Sequence, residues 1–435
     1  EEKMIENVAV FGLGFVGLPL SLTYTKKGVR VIGVDISKNL INSLKNGVTN
    51  SCELFDGESA DKVLKDALKK DLFVPTLDAA SALKKCSNIV VTVGVPVQSD
   101  LSLDFTFLDD VAATIGKYMR KGSTIVLRST VPPQTTKFRF KPIIEEESRL
   151  LAGKDFYLAY SSERMAEGKA YEELTSSITP IAGINEESLN RATEIISTIC
   201  SSVLPVSSIE IVEIAKILEN VSRDVNIALV NELALYANEL DVDIFKIIDV
   251  ANTHKRVKLL SPGPGVGGYC IPNAFFYLDK VEPPVYELKL CKTARFINDH
   301  MPNEVIRIAE ETLTKIGKDP CYANYALFGL AMKDYSNDLR SSPALKVLEL
   351  MRAKNYSCNY FDPFVEDSVY GMSETFEEFL EGADCLMILC RQNFPKINDL
   401  NKIKKLMNSK PIIIDTRNIF DSNLAEKKGF IIKKL

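Results

Sequence analysis

Asn7-Val-Ala-Val-Phe-Gly12-Leu-Gly14-Phe-Val-Gly17 is the stretch on which the reading of this chain turns. Its first residues make a short apolar run of the kind that forms a buried strand, and the glycines follow directly, opening a helix. Glycines at this spacing give a tight turn, let a pyrophosphate approach the backbone, and let helix pack closely on strand. The helix N-terminus then faces the negative charge. A G-x-G-x-x-G string alone is weak evidence, and a turn that merely needs small residues is the plainer reading. The next apolar run, Val29 to Val34, ends on Asp35, 23 residues after Gly12. A carboxylate there accepts from a ribose 2′-hydroxyl and repels a 2′-phosphate, so strand, turn, helix and acid together predict NAD rather than NADP. The cofactor-binding set is Gly12, Gly14, Phe15, Val16, Gly17 and Asp35.

Outward from this unit, further strand-like runs at Ile89–Val93 and Thr124–Leu127 alternate with helical patterns, which predicts a parallel, doubly wound sheet. Ile209 to about Leu240 contains no Gly or Pro and reads as one long helix suited to bridge two domains. A Gly/Pro-rich loop follows at Ser261–Gly268. A second α/β pattern then begins, with apolar runs at Tyr325–Leu330, Cys358–Phe361, Cys385–Leu389 and Pro411–Ile414. The expected fold is α/β, with two Rossmann-type doubly wound sheets joined by a long central helix. Its expected parts are an NAD-binding domain over 1–200, a helical connector and dimerisation region over 201–309, and a second Rossmann-like domain over 310–435. No solenoid repeat is present.

Composition bounds the function. At 435 residues, 46% hydrophobic and 26% charged, the chain has apolar side chain enough for sizeable cores and is not disordered. With 53 Lys+Arg against 58 Asp+Glu, the net charge of -5 does not argue for a nucleic-acid partner, yet it permits a local basic pocket. The nine cysteines contain no C-x-x-C pair, which predicts a reducing, cytoplasmic setting. His254 and His300 are the only histidines, so no metal site is expected. The uncharged run from Val8 to Thr25 resembles a signal peptide or membrane span, but its glycines and Pro19 fit strand, turn and helix start, and no membrane association is expected.

Five further segments carry chemistry. Cys270 ends the loop Gly263-Pro-Gly-Val-Gly-Gly-Tyr-Cys270, where dense glycine lets backbone approach a ligand. A buried structural thiol is the usual fate of cysteine, and the loop context argues against it here. On the long helix, Lys216, Asn220 and Arg223 fall within about 60° of one another at about 100° per residue. Such a stripe is often just a solvated face; on an otherwise apolar helix it reads as a substrate-holding, proton-handling face. Asn252-Thr-His254-Lys-Arg256 adds donors before the glycine loop. Ser129-Thr130-Val-Pro-Pro ends a strand and offers Thr130 at the carboxyl edge of the sheet. Glu163 and Arg164, in Ser161-Ser-Glu-Arg-Met165, read either as site residues or as a surface ion pair of little consequence.

With these residues in view, the chain resembles the UDP-glucose/GDP-mannose dehydrogenase family along nearly its whole length. The resemblance rests on GLGFVGLP, STVPP, SSERMAEGKA, AKILENVSRDVNIALVNELA, ANTHKRV, GPGVGGYCIP, FGLAMK, DLRSSP and IIDTRNIF. The wording of RDVNIALVNELA, ANTHKRV and GPGVGG is similar to the UDP-N-acetylhexosamine branch. The resemblance implies a four-electron oxidation of a sugar C6 alcohol to the carboxylate with two NAD in turn, on UDP-ManNAc or UDP-GlcNAc. It implies Cys270 as nucleophile forming a thiohemiacetal and then a thioester, Lys216 as acid/base or alkoxide stabiliser, Asn220 as donor, and Glu163 and Thr130 on the water and cofactor side. Substrate contacts map to Arg164, Met165, Lys216, Asn220, Arg223, His254, Arg256, Gly267, Met332, Lys333 and Arg417, and a cofactor contact to Arg340, with residues 310–435 holding the UDP-sugar. The counterpart of Arg256 comes from a neighbouring subunit in the family, which implies a homodimer or larger assembly.

The chain departs from the family in three places. Ala274 stands where an acid usually follows the nucleophile by four residues, Tyr269 replaces the branch's common histidine, and Gly94-Val-Pro96 replaces a threonine-containing turn. Other readings stay open: a UDP-glucose-type dehydrogenase, an enzyme whose oxidation stops after two electrons or at the thioester, which Ala274 motivates, and a nucleotide-sugar-binding protein that has lost catalysis.

Overall fold

The computed structural model describes residues 5–49, 51, 53–165, 168–281, 285–365 and 371–435. Ala166 and Glu167 of the SSERMAEGKA block lie outside them. The chain forms two compact units, one of Glu1–Leu218 with Phe276–Val285, the other of Glu219–Phe275 with Tyr286–Leu435.

In the first unit the strands are β1 (Asn7–Phe11), β2 (Arg30–Val34), β3 (Leu54–Phe55), β4 (Glu58–Ser59), β5 (Phe73–Thr76), β6 (Asn88–Val91), β7 (Thr124–Leu127), β8 (Tyr157–Ser161), β9 (Ile178–Gly183) and β10 (Ser202–Pro205). Strands β3 and β4 form a small hairpin, and the others make one sheet in the order β10-β9-β8-β7-β6-β1-β2-β5. From β5 to β8 every pair is parallel, as the alternating sequence pattern predicts. β9 departs from the expected all-parallel sheet: it runs antiparallel to β8, with Ala159 opposite Gly183 and Ser161 opposite Ile181. Its lead-in, the short helix Ala170–Ser176, does not cross the sheet, so the chain re-enters from the edge at which β8 ended. The buried Glu53 carboxylate fixes that lead-in by accepting from the Gly168 (2.6 Å) and Ala170 (2.9 Å) amides.

The second unit carries β11 (Asn324–Phe328), β12 (Ser357–Phe361), β13 (Cys385–Ile388), β14 (Ile412–Asp415) and β15 (Ile431–Lys434), in the order β12-β11-β13-β14-β15. All four pairs are parallel. Alternate residues of β11 enter opposite cores: Tyr325 and Leu327 join Met301 and Val305, while Ala326 and Phe328 join Phe376 and Phe379. Period-two alternation into two apolar layers is what a doubly wound sheet requires. The long helix forms as expected, over the 31 residues Ile209–Glu239.

Candidate functional site

Because β1, β6, β7 and β8 are parallel neighbours, their carboxyl ends bring Gly12, Thr92, Thr130 and Glu163 to one edge of the first sheet. The strand order reverses beside β1, the switch point where α/β sheets bind ligands. Gly12 has φ +86° and donates its N–H to Val34 O at 2.8 Å. A Cβ on Gly17 would lie 1.8 Å from Gly12 O, so helix and turn are as close as glycine allows; one on Gly14 would meet nothing within 4 Å. The turn is therefore closed at Gly17 and open at Gly14, where the backbone is free for a pyrophosphate, with Phe15 exposed and Val16 half-buried beside it. Asp35 accepts from Leu13 N–H at 2.8 Å and Ser37 N–H at 2.9 Å, one on each oxygen, which leaves each oxygen a lone pair for a ribose hydroxyl. The Thr92 hydroxyl bonds the Phe11 (3.0 Å) and Gly12 (2.7 Å) carbonyls and pins the turn, a role the sequence did not signal. These residues fit a dinucleotide.

Thr130 is half-buried just past β7, following Ser129, whose carbonyl accepts from Tyr160 OH at 2.9 Å. Glu163 is not a surface acid paired with Arg164. It is buried, and its Oε2 accepts from Arg128 Nε at 3.0 Å while its Oε1 accepts from the Arg164 backbone N–H at 2.6 Å. Arg128 also donates to Ser161 Oγ at 2.8 Å. Burial works against the Arg128 charge, and the Glu163 carboxylate together with Cys200 and Tyr24 offsets it, leaving the guanidinium pKa raised. Arg164 itself donates to Ile178 O at 3.0 Å, and Met165 packs on the first unit's core. An arginine at a strand end gave no warning in the sequence that it would orient the acid.

In the second unit Cys270 opens the helix Cys270–Asp279 and is exposed. The loop before it packs against the region after β11. A Cβ on Gly267 would come within 2.7 Å of Pro343 and 2.9 Å of Met332, and one on Gly263 within 2.5 Å of Arg417 Nη1. Gly268, at φ +81°, donates to Arg340 O at 2.9 Å. The fold thus gathers Gly267, Met332, Arg340 and Arg417 around the cysteine loop, with Lys333 exposed beside them. Two acids that sequence reading passed over hold the arginines. Asp334 grips Arg417 in a two-bond fork (3.0 and 2.7 Å), and Asp338 accepts from Arg340 Nε at 2.9 Å. At the end of β12, Asp362 is buried and already accepts from Leu330 N–H at 2.7 Å and Gln392 Nε2 at 2.9 Å. It corresponds by position to Asp35 but is spent inside the protein, which separates the two sheets chemically.

The continuous helix keeps the expected spacing of Lys216, Asn220 and Arg223: half-buried, 9% exposed and exposed in turn. Lys216, Thr130 and Glu163 belong to the first unit, and Asn220, Arg223, His254, Arg256 and Cys270 to the second. His254 and Arg256 are exposed, with Arg256 N–H donating to His254 Nδ1 at 3.3 Å. Ala274 is 1% exposed, so position 274 is a packed site in this chain.

Comparison with known proteins accords with this geometry. Residues 6–200 match the NAD binding domain of the UDP-glucose/GDP-mannose dehydrogenase family, 210–300 its central domain and 326–422 its UDP binding domain. The chain is 34% identical over 415 residues to the UDP-N-acetyl-D-mannosamine dehydrogenase of Pyrococcus horikoshii, covering 95% of this chain and 96% of that one. It is 30% identical to a UDP-N-acetyl-D-glucosamine 6-dehydrogenase of Pseudomonas aeruginosa, covering 97% and 98%. A solved UDP-D-ManNAc dehydrogenase structure from Pyrococcus horikoshii superposes with a TM-score of 0.90 at 33% identity, covering 98% of each chain.

Proposed function

The chain belongs to the UDP-glucose/GDP-mannose dehydrogenase family and is an NAD-dependent nucleotide-sugar dehydrogenase, and we propose that it oxidises the C6 alcohol of UDP-ManNAc or UDP-GlcNAc by four electrons to the uronic acid. The observation that carries this reading is Cys270, exposed at a helix start on a loop whose glycines pack against Met332 and Arg417.

NAD, when bound along the Gly12–Gly17 turn, supplies the hydride acceptor, twice per acid formed. Lys216 holds the hydroxyl proton and steadies the developing alkoxide, with Asn220 donating beside it on the same helix face. As the aldehyde forms, Cys270 Sγ adds to its carbon to give a thiohemiacetal; capture retains the aldehyde and makes it a hydride donor again. Loss of the second hydride and the hydroxyl proton leaves a thioester. Water adds to that carbonyl, the thiolate departs, and the carboxylate is released. Glu163, its carboxylate aimed by Arg128, takes the water-orienting role in a chain that has Ala274 where the family has an acid, and Thr130 lies on the cofactor side. Arg164, Met165, Arg223, His254, Arg256, Gly267, Met332, Lys333 and Arg417 are assigned to the sugar nucleotide, and Arg340 to the cofactor. The cations suit a pyrophosphate.

The assigned parts are 1–200 for NAD, 201–309 as connector and dimerisation region, and 310–435 for the UDP-sugar. The assigned setting is the cytoplasm. A homodimer or larger assembly is supported by the central helix, where Ile211, Ile214 and Leu218, and again Leu229, Leu233 and Tyr236, are exposed at three- to four-residue spacings. Ala274 favours a second reading, in which oxidation halts at the thioester.

Cys270→Ser tests the proposal. The variant is expected to bind NAD normally and to yield no uronic acid beyond a trace, as measured by mass spectrometry of the product. Full production of acid by the serine variant would contradict the covalent route.

A further inference from the structure

The central-helix segment Arg223-Asp-Val-Asn-Ile-Ala-Leu-Val-Asn231 carries three polar residues that the reaction leaves unused: Asp224, Asn226 and Asn231. All three face the second unit's own interior or the chain segment leading to Cys270. Asn226 is bonded on both sides of its amide, donating to Lys258 O and accepting from Leu260 N–H, each at 2.9 Å. Asn231, fully buried, accepts from Gly263 N–H at 2.9 Å and donates to Asn298 Oδ1 at 2.9 Å. Asn298, 1% exposed, donates in turn to Asp224 Oδ1 at 2.7 Å and to Asp224 O at 2.9 Å. Arg295 Nη1 closes the line on Asp224 Oδ1 at 2.6 Å, and its Nη2 lies 3.0 Å from Asp299 Oδ1.

This line of bonds has one polarity. An ionised Asp224 only accepts, so Asn298 must turn its NH₂ toward it and its oxygen toward Asn231. Asn231 then turns its NH₂ to Asn298 and its oxygen to Gly263, whose backbone N–H only donates. Charge at one end and backbone at the other demand the same orientation of both amides, so the network admits one arrangement. Burial raises the Asp224 pKa and the Arg295 charge opposes that rise.

We propose that Asn231, set by the Asp224–Arg295–Asn298 line and aided by Asn226, is a positioning residue that fixes the register of the Cys270 loop on the helix that presents Asn220. The loop is held at 258–260 by Asn226, at 263 by Asn231 and at 268 by the Arg340 carbonyl, two residues short of the thiol. A nucleophile placed this way is oriented by backbone, and a displacement of about 1 Å costs on the order of 10²-fold in rate. The inference deepens the reading in which Cys270 is the nucleophile, and it rests on that reading.

The test uses Asn231→Leu, similar in size and without either polar atom, and Asn231→Asp. Asn231→Leu is expected to lower kcat on the order of 10²-fold while NAD affinity and the KM for the sugar stay near wild type. Asn231→Asp as the neutral acid offers one O–H to Asn298 and one carbonyl oxygen to Gly263, so it retains activity at low pH and loses it as the carboxyl ionises amid Asp224, Arg295 and Asp299. A role confined to stability would lower Tm in both variants and leave kcat and the pH profile as in wild type, and that result overturns the proposal. Should Asn231→Leu not fold, half-buried Asn226→Ala serves, with about tenfold loss of kcat expected and an unchanged kcat contradicting it. If the wild-type protein turns over no UDP-sugar, the functional reading fails. The frame is then judged by iodoacetamide alkylation of Cys270, whose rate changes about tenfold in Asn231→Leu if the frame positions the thiol and is unchanged if it does not.

Discussion

Asp35 and Asp362 end the second strands of two similar sheets, and their surroundings give them opposite uses. Asp35 is half-buried, with one amide bond on each oxygen and capacity to spare; Asp362 is buried and saturated by Leu330, Phe364 and Gln392. Asp35→Ala is therefore expected to weaken NAD about tenfold, by removing hydrogen bonds to a charged acceptor, and to narrow the gap to NADP by removing the repulsion of a 2′-phosphate. Fluorescence titration with both cofactors measures this; equal affinities before and after the change would contradict the ribose role. Asp35 was legible because spacing from a glycine turn announces it. Arg128 was not, because the partner that gives it meaning, Glu163, is 35 residues away in sequence and meets it only through the β7–β8 pairing.

Between elements, Glu213 joins the central helix to the turn after Thr130. It is fully buried and accepts from Gln134 N–H (2.6 Å), Thr136 N–H (3.0 Å) and Thr136 Oγ1 (2.6 Å), one helical turn from Lys216. Burial pushes its pKa from 4.5 to about 7 against the pull of those donors, with Glu210 of the neighbouring Lys137–Glu210 pair adding to the rise. The folded value lies above the unfolded one, so the contribution of this group to stability is full below about 4.5 and fades as pH rises through about 7. Glu213→Gln, which keeps a carbonyl acceptor and cannot ionise, is expected to flatten that part of the Tm-versus-pH curve; an identical slope in both proteins would contradict the assignment. Most elements were legible at this scale, since apolar runs fall within two residues of the observed strands β1, β2, β6, β7 and β11 to β14. The direction of β9 was not, because periodicity says which faces are buried and nothing about the edge from which a strand enters.

At the scale of the whole molecule, the exposed apolar stripe of the central helix predicts self-association. Light scattering is expected to return at least twice the 48.4 kDa chain mass, and a monomer at micromolar concentration would contradict the assembly. The candidate site was legible as a set of motifs and not as a frame. Cys270, Lys216 and Asn220 stand out by residue type and context, whereas Asp334, Asp338 and Asn298 are ordinary polar residues until packing sets them against Arg417, Arg340 and Asn231. The central claim is a four-electron oxidation completed on one cysteine despite Ala274. The most direct test counts NADH released per uronic acid with UDP-ManNAc, UDP-GlcNAc, UDP-GalNAc and UDP-glucose in turn, with the mass of the protein followed alongside. Sustained turnover on UDP-ManNAc or UDP-GlcNAc at two NADH per acid is the predicted result. One NADH per free aldehyde, or a single burst that leaves the sugar on Cys270, would contradict it.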